Sequence, residues 1–430
     1  MRICGAATRM RIEYAEVNMK QANIVILGGG MVAGYAAKQL VELGLPPGEL
    51  AILSADSAVP YERPPLSKSF LAGKDSEDAI KINPEDFYRQ HGIELRLECE
   101  VAALDTKRKR LVLKRGDEFG FQKLIIATGA RPRTLNIAGS NLQNLFYLRT
   151  LNDSKRIRSA EEKAKHVVVV GGGFIGMEVA AILAQNGIEV TMVLNDDRIW
   201  KRLFSPQMSS FFERYYADKG VRIVKSSAVK ELRGNETVHS AVLSDGQTIL
   251  CDLVVAGIGV QSAIELASSG GLDVGDGILV NEYLRTSHSD IFAAGDVANY
   301  QDILFGKRRR LEHWDNAVSQ GQYCARSLMG DATPFKHVPY FFSDVFDLSY
   351  EYWGDSSSAD QIVHRGDTTS NNFSAWWLHQ ERVVAAFTMN RPDEERNAAP
   401  KWIESGQRVS ATKLADASRA ILTASDSAAA

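Results

Sequence analysis

Asn23-Ile-Val-Ile-Leu-Gly28-Gly-Gly30-Met-Val-Ala33-Gly34 is the stretch on which the reading of this chain turns. Asn23 to Leu27 is a short apolar run with β-branched residues, the pattern of a buried strand. A helical stretch, Tyr35 to Leu43, follows the glycines. Strand, glycine turn and helix together open a dinucleotide-binding βαβ unit. Gly28 permits the tight turn, Gly30 lets a pyrophosphate approach the backbone, and the small Ala33 lets the helix pack on the strand. The free N–H groups and the dipole at the helix start favour phosphate. The next strand, Glu49 to Leu53, ends near Asp56, an acid placed to accept a hydrogen bond from a ribose hydroxyl.

The pattern recurs. His166 to Val170 is a continuous apolar strand, Gly171-Gly-Gly173-Phe-Ile-Gly176 is a full glycine fingerprint, and Met177 to Gln185 is helical. The strand Glu189 to Leu194 runs into Asn195-Asp-Asp197, which puts Asp196 near the expected ribose-binding position. An acid there repels a 2′-phosphate and favours NADH. Arg198, Lys201 and Arg202 lie close enough in sequence to leave NADPH open. One glycine turn alone is often plain strand-to-helix packing. Two turns with matching acids argue for two dinucleotide cofactors.

Size and charge agree. A chain of 430 residues suggests two or three domains. With 45% hydrophobic and 24% charged residues it has the composition of a soluble globular protein. A net charge of −3 argues against a nucleic-acid binder. No apolar run reaches the ~20 residues of a membrane span. Cys4, Cys99, Cys251 and Cys324 are scattered, with no CxxC and no metal-ligand spacing, which fits a reducing, cytoplasmic setting. Residues 1–18 lack a signal-peptide core and read as a disordered or spurious extension, with Met19 a natural initiator. Residues 411–430, rich in Ala and Ser, read as a tail that is a helix end or disordered.

Two further segments complete a set of four. Leu124-Ile-Ile-Ala-Thr128-Gly129-Ala130 and Ile291-Phe-Ala-Ala-Gly295-Asp296-Val297 are strands running into small-residue turns. The set resembles the FAD-dependent pyridine nucleotide-disulphide oxidoreductases. The resemblance implies FAD on the first glycine turn, NADH (or NADPH) on the second, and Asp296 on the flavin ribityl chain. Thr128, Gly129, Gly259 and Gly295 are the cofactor-binding candidates of the small-residue turns. Many members relay electrons through a CxxxxC disulfide after the first ribose acid. Here that stretch is Pro60-Tyr-Glu-Arg-Pro-Pro-Leu-Ser-Lys68, without cysteine, and a dithiol relay needs two sulfurs.

The PYERPPLSK segment instead is similar to ferredoxin and rubredoxin reductases, monodehydroascorbate reductase and the apoptosis-inducing-factor group. This implies electron transfer from NAD(P)H through FAD to a one-electron acceptor, either a ferredoxin- or rubredoxin-like carrier or a small radical. A slow, NADH-sensing flavoprotein that binds partners is the alternative. Lys68 is then expected near the flavin N5 edge with Glu178 as its partner, and Arg63 and Arg131 near FAD phosphate or ring oxygens. Pro64 and Pro65 would stiffen that loop. Glu312, His313 and Trp314 precede a helix, Asp315 to Leu328, whose start would face the flavin pyrimidine, with Trp314 shielding the ring.

The fold expected is α/β: two Rossmann-like FAD- and NAD(P)-binding domains, the second inserted in the first, plus a small α+β C-terminal domain. The boundaries are 19–140 and 271–335 for FAD, 141–270 for NAD(P)H, and 336–410 for a domain of acceptor and dimer contacts, in a monomer or homodimer. In the last domain Phe373 to Leu378 and Arg382 to Phe387 read as a hairpin, with a helix from Asp393. Lys107 to Arg110 reads as a hairpin turn, and Lys307 to Arg310 as a loop or a patch that steers an acidic carrier. Against a monodehydroascorbate substrate stand Val318, where that group carries an Arg, and Phe342, where it carries a Tyr.

Overall fold

In the computed structural model, which describes residues 20–425 apart from Arg202, the run at Asn23 lies inside a longer strand, Lys20–Leu27. Residues 1–18, Met19, Cys4 and residues 426–430 lie outside the described residues, and with them the expectations for the extension and the initiator. Lys20–Leu27 is central in a parallel sheet. Leu50–Leu53 and then Glu94–Arg96 flank it on one side, and Glu118–Ile126 on the other. Both faces of a parallel sheet are covered, and Val25, Ile26, Ala51 and Ile52 are fully buried. The helix Met31–Glu42 starts straight from the glycine turn, four residues earlier than the sequence reading placed it, with Gly30 as its N-cap. Lys107 to Lys109 lies in the turn between the antiparallel strands Val101–Asp105 and Arg110–Leu113.

A second parallel sheet runs Arg222–Val224, Glu189–Val193, His166–Val170, Leu253–Ala256, Leu145–Phe146. A three-stranded antiparallel sheet, Val229–Gly234, Val238–Leu243 and Thr248–Leu250, packs beside it. The chain leaves the first unit through Ala130–Pro132 and returns through Val260–Ser262. These two strands pair antiparallel, so both crossings are tied at one place. Beyond the second unit, Ile291–Ala293 joins the first sheet, parallel to Glu118–Ile126 with Ile291 opposite Leu124. The insertion is thus closed off by strand pairing on both sides.

The last region is a five-stranded antiparallel sheet in the order Tyr340–Val345, Leu348–Gly354, Arg382–Met389, Asn372–His379, Gln361–Asp367. Gln380 and Glu381, both at positive φ, make the two-residue turn of the expected hairpin. The helix Asp393–Ser405 follows, carrying Trp402 against Trp376.

The expected tail from residue 411 is corrected through Ser425. Ala411–Ala415 is helical and Ile421–Ala424 forms a 3-10 turn. Leu414, Ile421 and Ala424 are buried in the core around Trp376. The buried Arg365 donates to the carbonyls of Leu414, Asp416 and Arg419 and pairs with Glu395 at 2.7 Å. The alanines that made this segment look like a tail are small enough to pack closely on the domain.

Candidate functional site

Two cavities meet at the first glycine turn and share Gly30, Arg63, Ala127 and Arg149 as walls. One continues past Gly28, Asp56, Thr128 and Arg131. The other, with about 1020 Å³ of empty space, is bounded by Lys68, Gly129, Glu178, Gly295, Asp296, Glu312, His313 and Trp314. Most of the candidate positions from the first glycine turn and the flavin-side motifs thus line one elongated cleft.

The turn itself explains why a backbone approach is possible. Gly28 has φ +119°, and a Cβ there would sit 2.2 Å from the Ala127 carbonyl oxygen. The helix that starts at Gly30 has no side-chain cap, so its first N–H groups face the cleft free of protein acceptors from a capping side chain. Ala33 is fully buried against the sheet. At the same place two guanidiniums converge. Arg149 pairs with Asp296 at 2.6 Å, while Arg63 is half-buried, with its Nη1 shielded from water and lacking a partner. Desolvation, and then the charge of Arg149, push Arg63 down to about 10, which still leaves it charged at neutral pH. A guanidinium with a shielded, unpaired Nη1 beside free helix N–H groups needs an anion, and a pyrophosphate fits that need.

Asp56 follows the second strand and accepts from the Tyr61 hydroxyl at 2.8 Å and from the Ala58 N–H at 3.2 Å. The Thr128 hydroxyl is spent on the Ala263 carbonyl, 2.8 Å away. Arg131 stands exposed at the rim, 3.3 Å from Glu265. The Gly295 N–H donates to the buried Gln320 side chain at 2.7 Å.

At the other end, Lys68 and Glu178 come together. Lys68 ends the short turn Pro64–Ser67, and Glu178 projects from the helix Phe174–Gln185. Their charged atoms are 2.7 Å apart, and Glu178 also accepts from Ser67 at 2.5 Å and Ser343 at 2.6 Å. Glu178 is 4% exposed, so these donors replace the water it lost. One carboxylate thereby ties the PPLS turn, the second nucleotide helix and the C-terminal sheet. That helix has Gly173 as its N-cap, and its Phe174, Ile175 and Glu178 wall the first cavity. The second glycine turn and the flavin-side cavity are thus held by one element.

His313 is the N-cap position of the helix Trp314–Leu328, again without a side-chain cap. Burial pushes its imidazole down to about 4 and keeps it neutral at working pH, which leaves it poorly suited to acid–base work. Glu312 pairs with Arg310 at 2.6 Å. The Trp314 indole N–H donates to Glu62 at 2.5 Å, and the Tyr35 hydroxyl donates to the same carboxylate. Trp314 stands edge-on to Phe342, 6.0 Å between centroids. Glu62, Ser67, Arg149 and Ser343 were missed by the sequence reading. Glu62 and Ser67 lie inside the segment 60–68 already singled out and Ser343 follows Phe342, whereas Arg149 carries no local pattern.

The second turn repeats the geometry of the first. Gly171 has φ +109° and faces the Gly257 carbonyl, and a Cβ on Gly176 would meet the Gly171 oxygen at 2.1 Å. Gly259 has φ +92° in the loop after Leu253–Ala256, next to Arg133, and walls neither cavity described above. Asp196 is exposed beyond the strand Glu189–Val193. Of the three cations that kept NADPH open, Arg198 donates to the Phe204 and Lys201 carbonyls and the Ser209 hydroxyl, Lys201 pairs with Asp197 at 3.1 Å, and Arg202 lies outside the described residues.

The basic run Lys307 to Arg310 is corrected as a free steering patch. Lys307–Arg309 is a strand, and the run is turned onto carboxylates and carbonyls. Lys307 meets Asp355, Arg309 meets Asp302 and Asp355 at 2.9 and 2.8 Å, and Arg310 meets Asp276 at 2.9 Å. Arg308 donates to the carbonyls of Val280 and Asn299.

Two nucleotide-binding βαβ units, one inserted in the other and sharing a helix across a common cavity, define a two-dinucleotide oxidoreductase. The chain belongs to the pyridine nucleotide-disulphide oxidoreductase family, whose model matches residues 22–321, and a reductase C-terminal model matches residues 340–424. FAD and a pyridine nucleotide are the cofactors this family implies. Cys99, Cys251 and Cys324 are free. The chain is 34% identical to monodehydroascorbate reductase of Pisum sativum over 88% of its length and 93% of that protein's. It is 35% identical to rubredoxin-NAD(+) reductase of Pseudomonas putida over 86% of its length and 97% of that protein's. A ferredoxin reductase from Rhodopseudomonas palustris superposes with a TM-score of 0.90 at 33% identity, covering 94% of this chain and all (100%) of that one. The reductase of a covalent putidaredoxin reductase–putidaredoxin complex superposes with a TM-score of 0.89 at 32% identity, covering 94% and 99%. No helix among the described residues is long and apolar enough to cross a membrane.

Proposed function

We propose that this oxidoreductase takes electrons from NADH and delivers them, through FAD, to a small ferredoxin- or rubredoxin-type carrier protein. Bound FAD would accept two electrons together and release them singly. In this reading Gly28, Gly30 and Arg63 hold the pyrophosphate, Asp56 the adenosine ribose, and Asp296, oriented by Arg149, the ribityl chain. Thr128, Gly129, Arg131 and Gly295 shape the walls. Lys68 holds its positive charge against the ring edge, with Glu178 and its two serine donors fixing its position. The uncapped helix start at His313 directs N–H groups toward the opposite edge. Gly171, Gly173, Gly176 and Asp196 hold the nicotinamide cofactor, and Gly259 borders that site.

The observation that carries the choice of acceptor is the character of the cavity mouth. Trp314, Tyr340 and Phe342 stand together in its walls, and Val318 is buried. The cations in or beside its walls, Lys68, Arg149 and Arg310, each face a carboxylate within 2.7 Å. With Arg63 engaged by the pyrophosphate, a small anionic radical would find neither a free guanidinium nor a hydroxyl at position 342. An aromatic mouth suits electron transfer to a protein docked over it. The similarity to monodehydroascorbate reductases keeps the radical as the second reading.

The test is an anaerobic NADH titration of the yellow protein followed by reoxidation. Rapid reoxidation by a ferredoxin or rubredoxin and slow reoxidation by ascorbyl radical are expected. The reverse order moves the assignment to the radical, and resistance to both favours a slow NADH-sensing role.

A further inference from the structure

Four carboxylates line the flavin-side cavity: Glu178, Asp296, Glu312 and Asp315. Three are held by side chains that keep their charge far above neutral pH: Lys68 at 2.7 Å, Arg149 at 2.6 Å and Arg310 at 2.6 Å. The fourth, Asp315, is held by the imidazole of His337, through its Nε2. Histidine is the side chain that ordinarily changes charge between about pH 5 and 8. Asp315 also walls a second, open depression on the protein surface, which His337 shares, and His337 reaches a third beside Ser319 and Tyr323. Both members are partly exposed, His337 by 24% and Asp315 by 19%.

We infer that the Asp315–His337 pair is a proton exit from the cofactor cavity to solvent. The inference rests on the proposed function, whose stoichiometry requires such an exit. NADH plus two oxidised one-electron acceptors yields NAD+, two reduced acceptors and one proton. The hydride carries two electrons and one proton, and the acceptors take only the electrons. Asp315, at the first turn of the helix Trp314–Leu328, faces the cavity, and His337 faces the outside. The other imidazole at the cavity, His313, is buried and neutral and opens to no surface depression described here.

The neighbouring charges leave the pair to itself. Lys336 meets Glu404 at 3.2 Å, Arg396 meets Glu351 and Asp393, Tyr340 donates to Glu351 at 2.7 Å, and Arg326 faces Asp331 at 3.7 Å. Phe335 stacks on the His337 ring, and the Ser319 hydroxyl lies 3.4 Å from its Nε2.

The experiment uses the full-length, FAD-loaded protein, reduced with one equivalent of NADH and mixed with ferricyanide in weak buffer containing a pH indicator. Flavin colour and proton release are recorded together across about pH 5–8, the range in which histidine ordinarily changes charge. Proton release in His337→Gln should slow about ten-fold or more, lose its inflection near neutral pH, and recover with added imidazole. Asp315→Asn should lose the same inflection without rescue by imidazole. Unchanged proton release in both variants, or a slower rate with an unaltered pH profile and no rescue, overturns the inference. Failure of NADH to bleach the wild-type flavin instead brings down the proposed function, and the proton exit with it.

Discussion

At the residue scale, the pairing of Lys68 with Glu178 was expected only through the family resemblance, because the two residues lie on separate elements and no local pattern names the partner. What the resemblance did not carry was the pair of serines. Ser67 and Ser343 complete the hydrogen bonding of Glu178, and Ser343 arrives from the C-terminal sheet. Lys68→Ala should slow flavin reduction by NADH about 10²-fold, the cost of removing one preorganised charge from such a site. Stopped-flow absorbance with far-UV circular dichroism checks it, and normal kinetics with normal FAD content refute the assigned role. Asp196→Ser should lower the preference for NADH over NADPH about ten-fold, as for loss of a charge-assisted hydrogen bond. The ratio of kcat/KM values measures it, and an unchanged ratio assigns ribose recognition elsewhere. A third residue makes a pH prediction. Burial raises the Glu161 carboxyl from 4.5 to about 7, against a single Asn186 donor. The folded state then holds this proton more tightly than the unfolded chain. Its contribution to stability is fully present below pH 4.5 and is lost as pH rises through 7. Glu161→Gln should therefore stabilise the protein at pH 8 by about 1 kcal/mol, discounted for partial solvation, and leave it nearly unchanged at pH 5. Thermal melts at the two pH values decide it, and an equal shift at both rules out the linkage.

At the element scale, the helices at Met31, Phe174 and Trp314 share one device. Each begins from a residue that provides no capping side chain, Gly30, Gly173 or His313. Thr150, Ser205 and Ser410 cap their helices, whereas the helices after Pro84, Ile264 and Pro392 also start without a side-chain cap. What sets the starts at Gly30 and His313 apart is that they wall the cavity, where uncapped N–H groups can meet an anion or a ring oxygen. The glycine turns could be read from sequence because they are contiguous and chemically restrictive. Gly171→Ala should weaken NADH binding more than ten-fold, since its Cβ would meet the Gly257 carbonyl oxygen at 2.2 Å in a left-handed conformation. The protein should stay yellow, because the first turn is separate, and loss of FAD along with NADH would contradict that separation. The run Lys307 to Arg310 shows the opposite case. Four consecutive cations look like a patch in one dimension, yet the folded chain turns three of them onto Asp276, Asp302, Glu312 and Asp355 and the fourth, Arg308, onto backbone carbonyls.

At the scale of the whole molecule, the C-terminal sheet joins the other two units at Glu178 through Ser343 and forms the aromatic mouth through Tyr340, Phe341 and Phe342. Its own integrity depends on the segment that composition made look like a tail. Truncation after Ser410 would strip Leu414, Ile421 and Ala424 from the core around Trp376 and leave Arg365 without its three carbonyl acceptors. Two large buried aliphatic side chains at about 1.5–3 kcal/mol each put the loss at roughly 3–6 kcal/mol before the recovered chain entropy. Urea denaturation should show the truncated protein less stable by at least about 2 kcal/mol, and equal midpoints would show the segment to be dispensable. By itself the sequence determined the two nucleotide units, their order, and the lack of a dithiol at residues 60–68. Each of these is written in contiguous residues whose backbone and charge requirements are local. Only the tertiary structure decided that Arg149 reaches Asp296, that Glu62 holds Trp314, that His337 meets Asp315, and that the last segment packs. Those contacts depend on where the chain returns, and hydrophobic period and turn chemistry do not carry the identity of a partner that arrives from another strand or domain.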